Sequence, residues 1–97
     1  MDKKFITDYL NNFSKLVQPS KELILDLLKV KDVMIKASTS GKKAIVVGNG
    51  GSAAIASHVS VDLTKNAGIR SVNFNESDLI TCFANDYGFE QWVAKAV

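Results

Sequence analysis

One stretch limits what this chain can fold into more than any other. Ala44-Ile45-Val46-Val47 is a short, wholly apolar run, and Gly48-Asn49-Gly50-Gly51-Ser52 follows it at once. From Ser52 to Asn66 the apolar residues return at helical spacing, as Ala53, Ala54, Ile55, Val59 and Leu63, and Gly68 ends the pattern. A run that is apolar on both faces predicts a buried parallel strand rather than a half-exposed one. Ile69 to Phe74 is a second strand candidate, though polar at Arg70, Ser71 and Asn73. Strand, helix and strand in that order, joined by a right-handed crossover, predict an α/β fold with a parallel sheet. Two strands are too few for a sheet covered on both faces, so the pattern predicts the front part of a larger domain.

The flanking segments read as helices. Phe5, Ile6, Tyr9, Leu10, Phe13, Leu16 and Val17 form a wide stripe over residues 3–17. Pro19 suits the first turn of a second helix, which continues through Leu23, Ile24, Leu27, Leu28, Val33, Met34 and Ala37 to about Ser38. Gly41 fits a stop. These helices carry no visible chemistry, and their broad apolar stripes suit packing, including packing against a partner subunit. The chain thus reads as one partial domain, with helices over 1–40 and the start of the α/β core over 41–97. Within the core, Ser77 to Ala84 predicts a short helix, Asn85-Asp86-Tyr87-Gly88 a loop, and Phe89 to Val97 a further helix.

Composition narrows the function classes. A chain of 97 residues allows one domain. With 46% hydrophobic and 23% charged residues it is an ordinary globular sequence, not a disordered one. Twelve basic and ten acidic residues leave a net charge of +2, too weak to imply nucleic acid or an anionic membrane as partner. The apolar runs are a few residues long, far short of a membrane span. The N-terminus has no signal-peptide apolar core. Cys82 is the single cysteine, which excludes an intrachain disulfide and a cysteine-based zinc finger. It reads as a small buried side chain, and a reducing cytoplasm is the expected compartment.

The glycine loop is the first candidate site. Gly50 and Gly51 let backbone approach a ligand closely, and the amides that open the next helix favour negative charge. Ser52 can cap that helix or meet a ligand with its hydroxyl. The plain alternative is a tight turn with no ligand. Gly48-x-Gly50-x-x-Ala53 also fits the dinucleotide pattern, with Glu76, 23 residues after Ala53, where a ribose-binding acid would sit. A P-loop is excluded, because no Gly-Lys-Ser/Thr follows.

His58 and Asp62 stand four apart on the following helix and share a face. They suit two ligands of a zinc ion, a general acid/base pair, or a plain helix-surface pair. One histidine and one aspartate do not close a zinc site, which takes three or four ligands. Asn85 and Asp86 are turn residues by default, and at a sheet edge they also suit sugar hydroxyls. Lys65 and Arg70 read as solvated charges able to steer a phosphate.

Taken together, Gly48-Asn49-Gly50-Gly51-Ser52-Ala53-Ala54, His58, Asp62-Leu63-Thr64 and Ala84-Asn85-Asp86-Tyr87-Gly88-Phe89-Glu90 resemble the SIS (sugar isomerase) domain, and within it most closely the phosphoheptose isomerases. The resemblance spans essentially the whole chain. It implies a flavodoxin-like three-layer sandwich around a five-stranded parallel sheet, of which this chain holds the N-terminal part. It also implies a homotetramer whose N-terminal helices build subunit contacts. The implied activity is aldose–ketose isomerisation of a phosphorylated sugar, sedoheptulose 7-phosphate. By the same resemblance Asn49, Gly50, Gly51, Ser52, Asn85 and Asp86 contact substrate. His58 is implied as a zinc ligand, and Asp62 as zinc ligand, substrate contact and catalytic base. Two positions depart from the family. Asp62 stands where glutamate is usual, one methylene shorter, and Val61 replaces a common acidic residue. The family's Ser/Thr-rich phosphate loop and its later Gln and His ligands have no counterpart in these residues. Some SIS proteins bind sugar phosphates or protein partners without isomerising anything, which is the alternative the resemblance leaves.

Overall fold

The computed structural model describes residues 2–97. The chain divides into two compact units, one ending at Lys31 and the other spanning Asp32–Val97.

The first unit holds helix α1 (Lys3–Leu16) and the front of helix α2 (Lys21–Thr39). Asp2 starts α1: its extended backbone lets a side-chain oxygen accept the Phe5 N–H at 2.7 Å. Such a cap is worth about 1 kcal/mol. Pro19 does not enter α2, contrary to the expectation. Ser20 sits immediately ahead of the helix instead, and its Oγ accepts the Leu23 N–H at 3.0 Å. A hydroxyl that satisfies an orphan donor outweighs the preference of proline for the first turn. The rings of Phe5 and Tyr9 stack with centroids 6.3 Å apart. They remain exposed, as do Leu10, Phe13 and Leu16. α2 ends as expected at Gly41, whose φ of 72° only glycine adopts cheaply. The Lys42 N–H reaches Ala37 O at 2.8 Å and the Gly41 N–H reaches Ser38 O at 3.1 Å, which closes the helix as a Schellman motif.

The second unit is α/β. Strand β1 (Ala44–Ile45) pairs in parallel with β2 (Ser71–Val72), Ala44 opposite Ser71 and Ile45 opposite Val72. Helix α3 (Gly51–Lys65) connects them. Helix α4 (Ser77–Tyr87), a 3₁₀ turn (Phe89–Gln91) and the short helix α5 (Trp92–Ala96) follow. The strands are shorter than the sequence suggests. Asn73 and Asn75 explain part of this, because their side-chain amides replace backbone partners beyond Val72. The predicted burial of β1 is also corrected, since Ile45 is exposed. A sheet of two strands leaves each strand an open edge. The core is small: Ala56 on α3 and Trp92 on α5 are buried, as is the hydroxyl of Ser60. Ser60 Oγ and Ser71 Oγ lie 2.9 Å apart and tie α3 to β2. Among the described residues, no helix is long and apolar enough to cross a membrane.

Candidate functional site

The glycine loop sits between the end of β1 and the start of α3, and its geometry shows why glycines occupy it. A Cβ on Gly48 would lie 2.3 Å from Ser52 O and 2.8 Å from Ala53 N, so the loop folds back on its own backbone there. Gly50 has φ 60° and ψ −127°, outside the range of an L side chain. It is the residue preceding α3, and the helix therefore starts at Gly51 with no side-chain cap. Ser52 lies inside the helix and does not cap it, which corrects the expectation. Its N–H donates to Asn49 O at 3.1 Å, and the Ala53 N–H donates to Gly50 O at 3.0 Å. Among the described residues, none accepts from the amides of Asn49, Gly50 or Gly51. Three successive exposed residues at a helix N-terminus thus leave a nest of amides free for a polar or anionic group.

Val47, Gly48 and Asn49 also line a concavity of about 290 Å³ with Phe89, Glu90, Trp92 and Val93. The segment that leaves β1 for the glycine loop is thus brought beside the start of α5. A second concavity, of about 380 Å³, lies between α3 and β2, lined by Ser57, Ser60, Val61, Thr64, Lys65, Ser71 and Asn73.

His58 and Asp62 face each other across one turn of α3, with Nε2 and Oδ1 3.6 Å apart, and both are exposed. Asn66 adds a third group: its Nδ2 donates to the same Asp62 Oδ1 at 3.2 Å. Sequence reasoning did not single out Asn66, although it continues the i, i+4 spacing of the other two. Helical rise places His58 about 10 Å and Asp62 about 16 Å along α3 from Gly51. The pair and the loop are therefore separate ends of one element, not a single cluster.

The pair can be tested against zinc. Bonds of about 2.0–2.2 Å to N and O at tetrahedral angles put two ligands roughly 3.4 Å apart. The 3.6 Å separation of Nε2 and Oδ1 matches that edge. No group of three or more His, Cys, Asp or Glu able to hold a metal occurs among the described residues. The residues present fit two corners of a zinc site and do not complete it.

Asn85 and Asp86 do not form a loop. They lie in the last turn of α4, which continues to Tyr87 and stops at Gly88 with φ 90°. The loop expectation failed because these turn-favouring residues also suit a helix's final turn when a glycine follows. Both are exposed and line neither concavity. Asn85 Nδ2 donates to Asp86 Oδ1 at 3.2 Å, and Cys82 Sγ approaches Asp86 Oδ2 at 3.6 Å. Cys82 is exposed, not buried. The Asp86 charge, with lesser contributions from burial and from its hydrogen bond, holds the thiol above its ordinary range.

Glu76 has a structural task. Its carboxylate accepts the N–H groups of Asp78 and Leu79 at 3.1 and 3.0 Å and so caps α4. Those two hydrogen bonds lower its pKa below the usual carboxylate value. A carboxylate engaged in this way is not presented to a ribose, which removes the support for the dinucleotide reading. Arg70 is not a free charge either, since its Nη1 donates to Gly41 O at 3.1 Å.

Comparison with known proteins adds a family context. The chain is 34% identical over 89 residues to a phosphoheptose isomerase of Geotalea uraniireducens, covering 84% of this chain and 47% of that protein. It is 31% identical over 99 residues to one of Buchnera aphidicola subsp. Acyrthosiphon pisum, covering 94% and 51%. With one of Fusobacterium nucleatum it shares 35% identity over 74 residues, covering 71% and 38%. The chain spans about half the length of the curated relatives it matches. No protein-family model and no solved structure matches it.

Proposed function

We infer that this chain, a relative of the phosphoheptose isomerases over about half of their length, contributes a phosphosugar-handling part of an aldose–ketose isomerase. The observation that carries the reading is the nest of three unengaged amides at Asn49, Gly50 and Gly51. Such a nest takes an anionic or strongly polar group of a ligand. The relatives' names point to a heptose phosphate as that ligand. The nest alone suits the non-catalytic and dinucleotide-binding alternatives as well; the relatives' names favour neither of them.

The chemistry requires a proton to move between adjacent carbons of the sugar through an enediol. Asp62 is the base in this reading: its carboxylate takes the proton from the carbon beside the carbonyl and returns it to the former carbonyl carbon, while the hydroxyl proton passes between the two adjacent sugar oxygens. Asn66, donating to Oδ1, orients that carboxylate. His58 and Asp62 would hold zinc as two of its ligands, and a bound zinc would polarise the sugar oxygen. Asn49 to Ser52 contact the ligand, and Asn85 and Asp86 contact its hydroxyls. The exposed apolar stripe of α1 supports a homo-oligomer; the tetramer and the cytoplasmic location in this reading come from the family resemblance alone.

Isothermal titration with sedoheptulose 7-phosphate tests the reading, with NAD⁺ as the contrast. Saturable binding of the sugar phosphate alone is the expected result. Binding of NAD⁺ alone would overturn it. In protein competent for turnover, Asp62→Ala abolishes conversion and leaves the far-UV spectrum unchanged; retained conversion removes Asp62 from the base role.

A further inference from the structure

We propose that Asn75 is a positioning residue for the glycine loop, with Asn73 as its brace. The inference deepens the reading above and rests on it for the identity of the ligand.

The backbone ladder between the strands ends where the Val46 N–H donates to Val72 O at 3.0 Å. Beyond that point two side-chain amides continue it. Asn73 Nδ2 donates to Val46 O at 2.6 Å. Asn75 then serves both polar groups of Gly48: its Nδ2 donates to Gly48 O at 2.6 Å, and its Oδ1 accepts the Gly48 N–H at 3.0 Å. The orientation of the Asn75 amide follows from this, because a flipped amide would face donor with donor and acceptor with acceptor. Asn75 is held in turn by Asn73, whose Oδ1 accepts the Asn75 N–H at 2.8 Å and whose Nδ2 approaches Asn75 Oδ1 at 3.3 Å. Both asparagines are half-buried.

Gly48 is therefore fixed from two sides. The Asn75 amide takes its N–H and its C=O. The backbone of Ser52 and Ala53 lies so close on another side that no Cβ fits. The amides of Asn49, Gly50 and Gly51 start from that anchor, and their directions depend on it. A residue that continues a strand ordinarily finds its backbone partners on the neighbouring strand. Here a side chain 27 residues away supplies them, at the place where the chain leaves the sheet for the loop. An asparagine side chain can do this because it carries a donor and an acceptor in the same planar group as a peptide. Asn75 reaches the loop only through Gly48, and its role is to orient the nest.

The test uses the ¹⁵N-labelled chain with Asn75→Ala, the milder Asn75→Ser, and Ser60→Ala as the control. Ser60→Ala removes a hydrogen bond of the same unit, between α3 and β2, that does not touch the loop. Two quantities are read: amide hydrogen exchange of residues 48–52, and the Kd for sedoheptulose 7-phosphate. Asn75→Ala is expected to raise the exchange of the Gly48 amide and weaken binding about tenfold, the equivalent of one to two lost neutral hydrogen bonds. Asn75→Ser is expected to fall between it and the parent chain. Ser60→Ala is expected to lower the unfolding midpoint without moving either quantity. Unchanged Gly48 exchange in both Asn75 variants would overturn the proposal. Equal loss of affinity in Ser60→Ala would also overturn it, by reducing Asn75 to a general structural role. If the parent chain binds no sugar phosphate, the ligand reading fails separately, and the exchange data alone decide the role of Asn75.

Discussion

Alanine placed in turn at three glycines of the loop should have three different effects, each with its own physical cause. At Gly48 the added Cβ would meet Ser52 O at 2.3 Å, Ser52 C at 2.4 Å and Ala53 N at 2.8 Å. All three are backbone atoms, so no side chain can swing away. Overpacking that side chains can partly absorb costs about 1–3 kcal/mol, and a backbone clash belongs at or above the top of that range. Moving Gly48 to relieve the clash would break its two hydrogen bonds to Asn75, so relaxation offers little relief. At Gly50 nothing lies within 4 Å of the new Cβ, but φ is +60°. That substitution costs about 1–3 kcal/mol through backbone strain alone. At Gly51 the space is open and the residue is the first of α3, with no left-handed φ. Alanine there should be neutral or should stabilise by about 0.4–1 kcal/mol, because it restricts the unfolded chain. Urea unfolding followed by Trp92 fluorescence measures all three. The expected order of stability is Gly51→Ala, then Gly50→Ala, then Gly48→Ala. A Gly48→Ala chain as stable as Gly51→Ala would refute the close approach of the loop to the start of α3.

Other consequences concern single residues. Among the described residues Trp92 is one of two buried apolar side chains, at 4% exposure, so Trp92→Ala should cost about 3–5 kcal/mol in chemical unfolding, and a loss below about 1 kcal/mol would contradict its core role. Glu76 has a lowered pKa when folded, so the unfolded chain takes up that proton first as pH falls. The cap's contribution is complete above the ordinary carboxylate pKa near 4.5 and is lost as pH drops through the lower folded value. Thermal unfolding between pH 6 and 3 should therefore fall less steeply for Glu76→Gln, whereas parallel curves would deny the cap. The Asp86 charge raises the Cys82 thiol, so Asp86→Asn should speed alkylation by iodoacetamide at mildly alkaline pH, and equal rates would show that the two side chains do not interact.

The first three helices were legible because each carries both a period and a break, whereas α4 runs three residues past its expected end at Ala84 and the helix expected from Phe89 opens as a 3₁₀ turn before α5. The α1 stripe, Gly41 after α2 and Gly68 after α3 are signals written within a few residues, and the backbone obeys them. The parallel pairing of the two strands was legible for a similar reason, from the change of period at Ala44. What the sequence concealed was non-local. Strand length depends on Asn73 and Asn75, which look like ordinary polar interruptions until their amides meet Val46 and Gly48 across 27 residues. Pro19 and Ser52 were assigned helix-start roles from local preference. Ser20 and Gly50 take those places because one offers a hydroxyl to Leu23 and the other adopts a conformation closed to serine. In the candidate site, the i, i+4 spacing foretold the meeting of His58 and Asp62, and the same rule extends to Asn66. Asn85 and Asp86 were misread as a loop, since their turn preference and the helix's final turn look alike when glycine follows.

The most direct test of the account is a ¹H–¹⁵N titration of the chain with sedoheptulose 7-phosphate. If the nest receives the ligand, the amide resonances of Asn49, Gly50 and Gly51 move first and saturably, and NAD⁺ leaves them unmoved. Loop amides that stay in place at saturating sugar phosphate, or that respond to NAD⁺ alone, would contradict it.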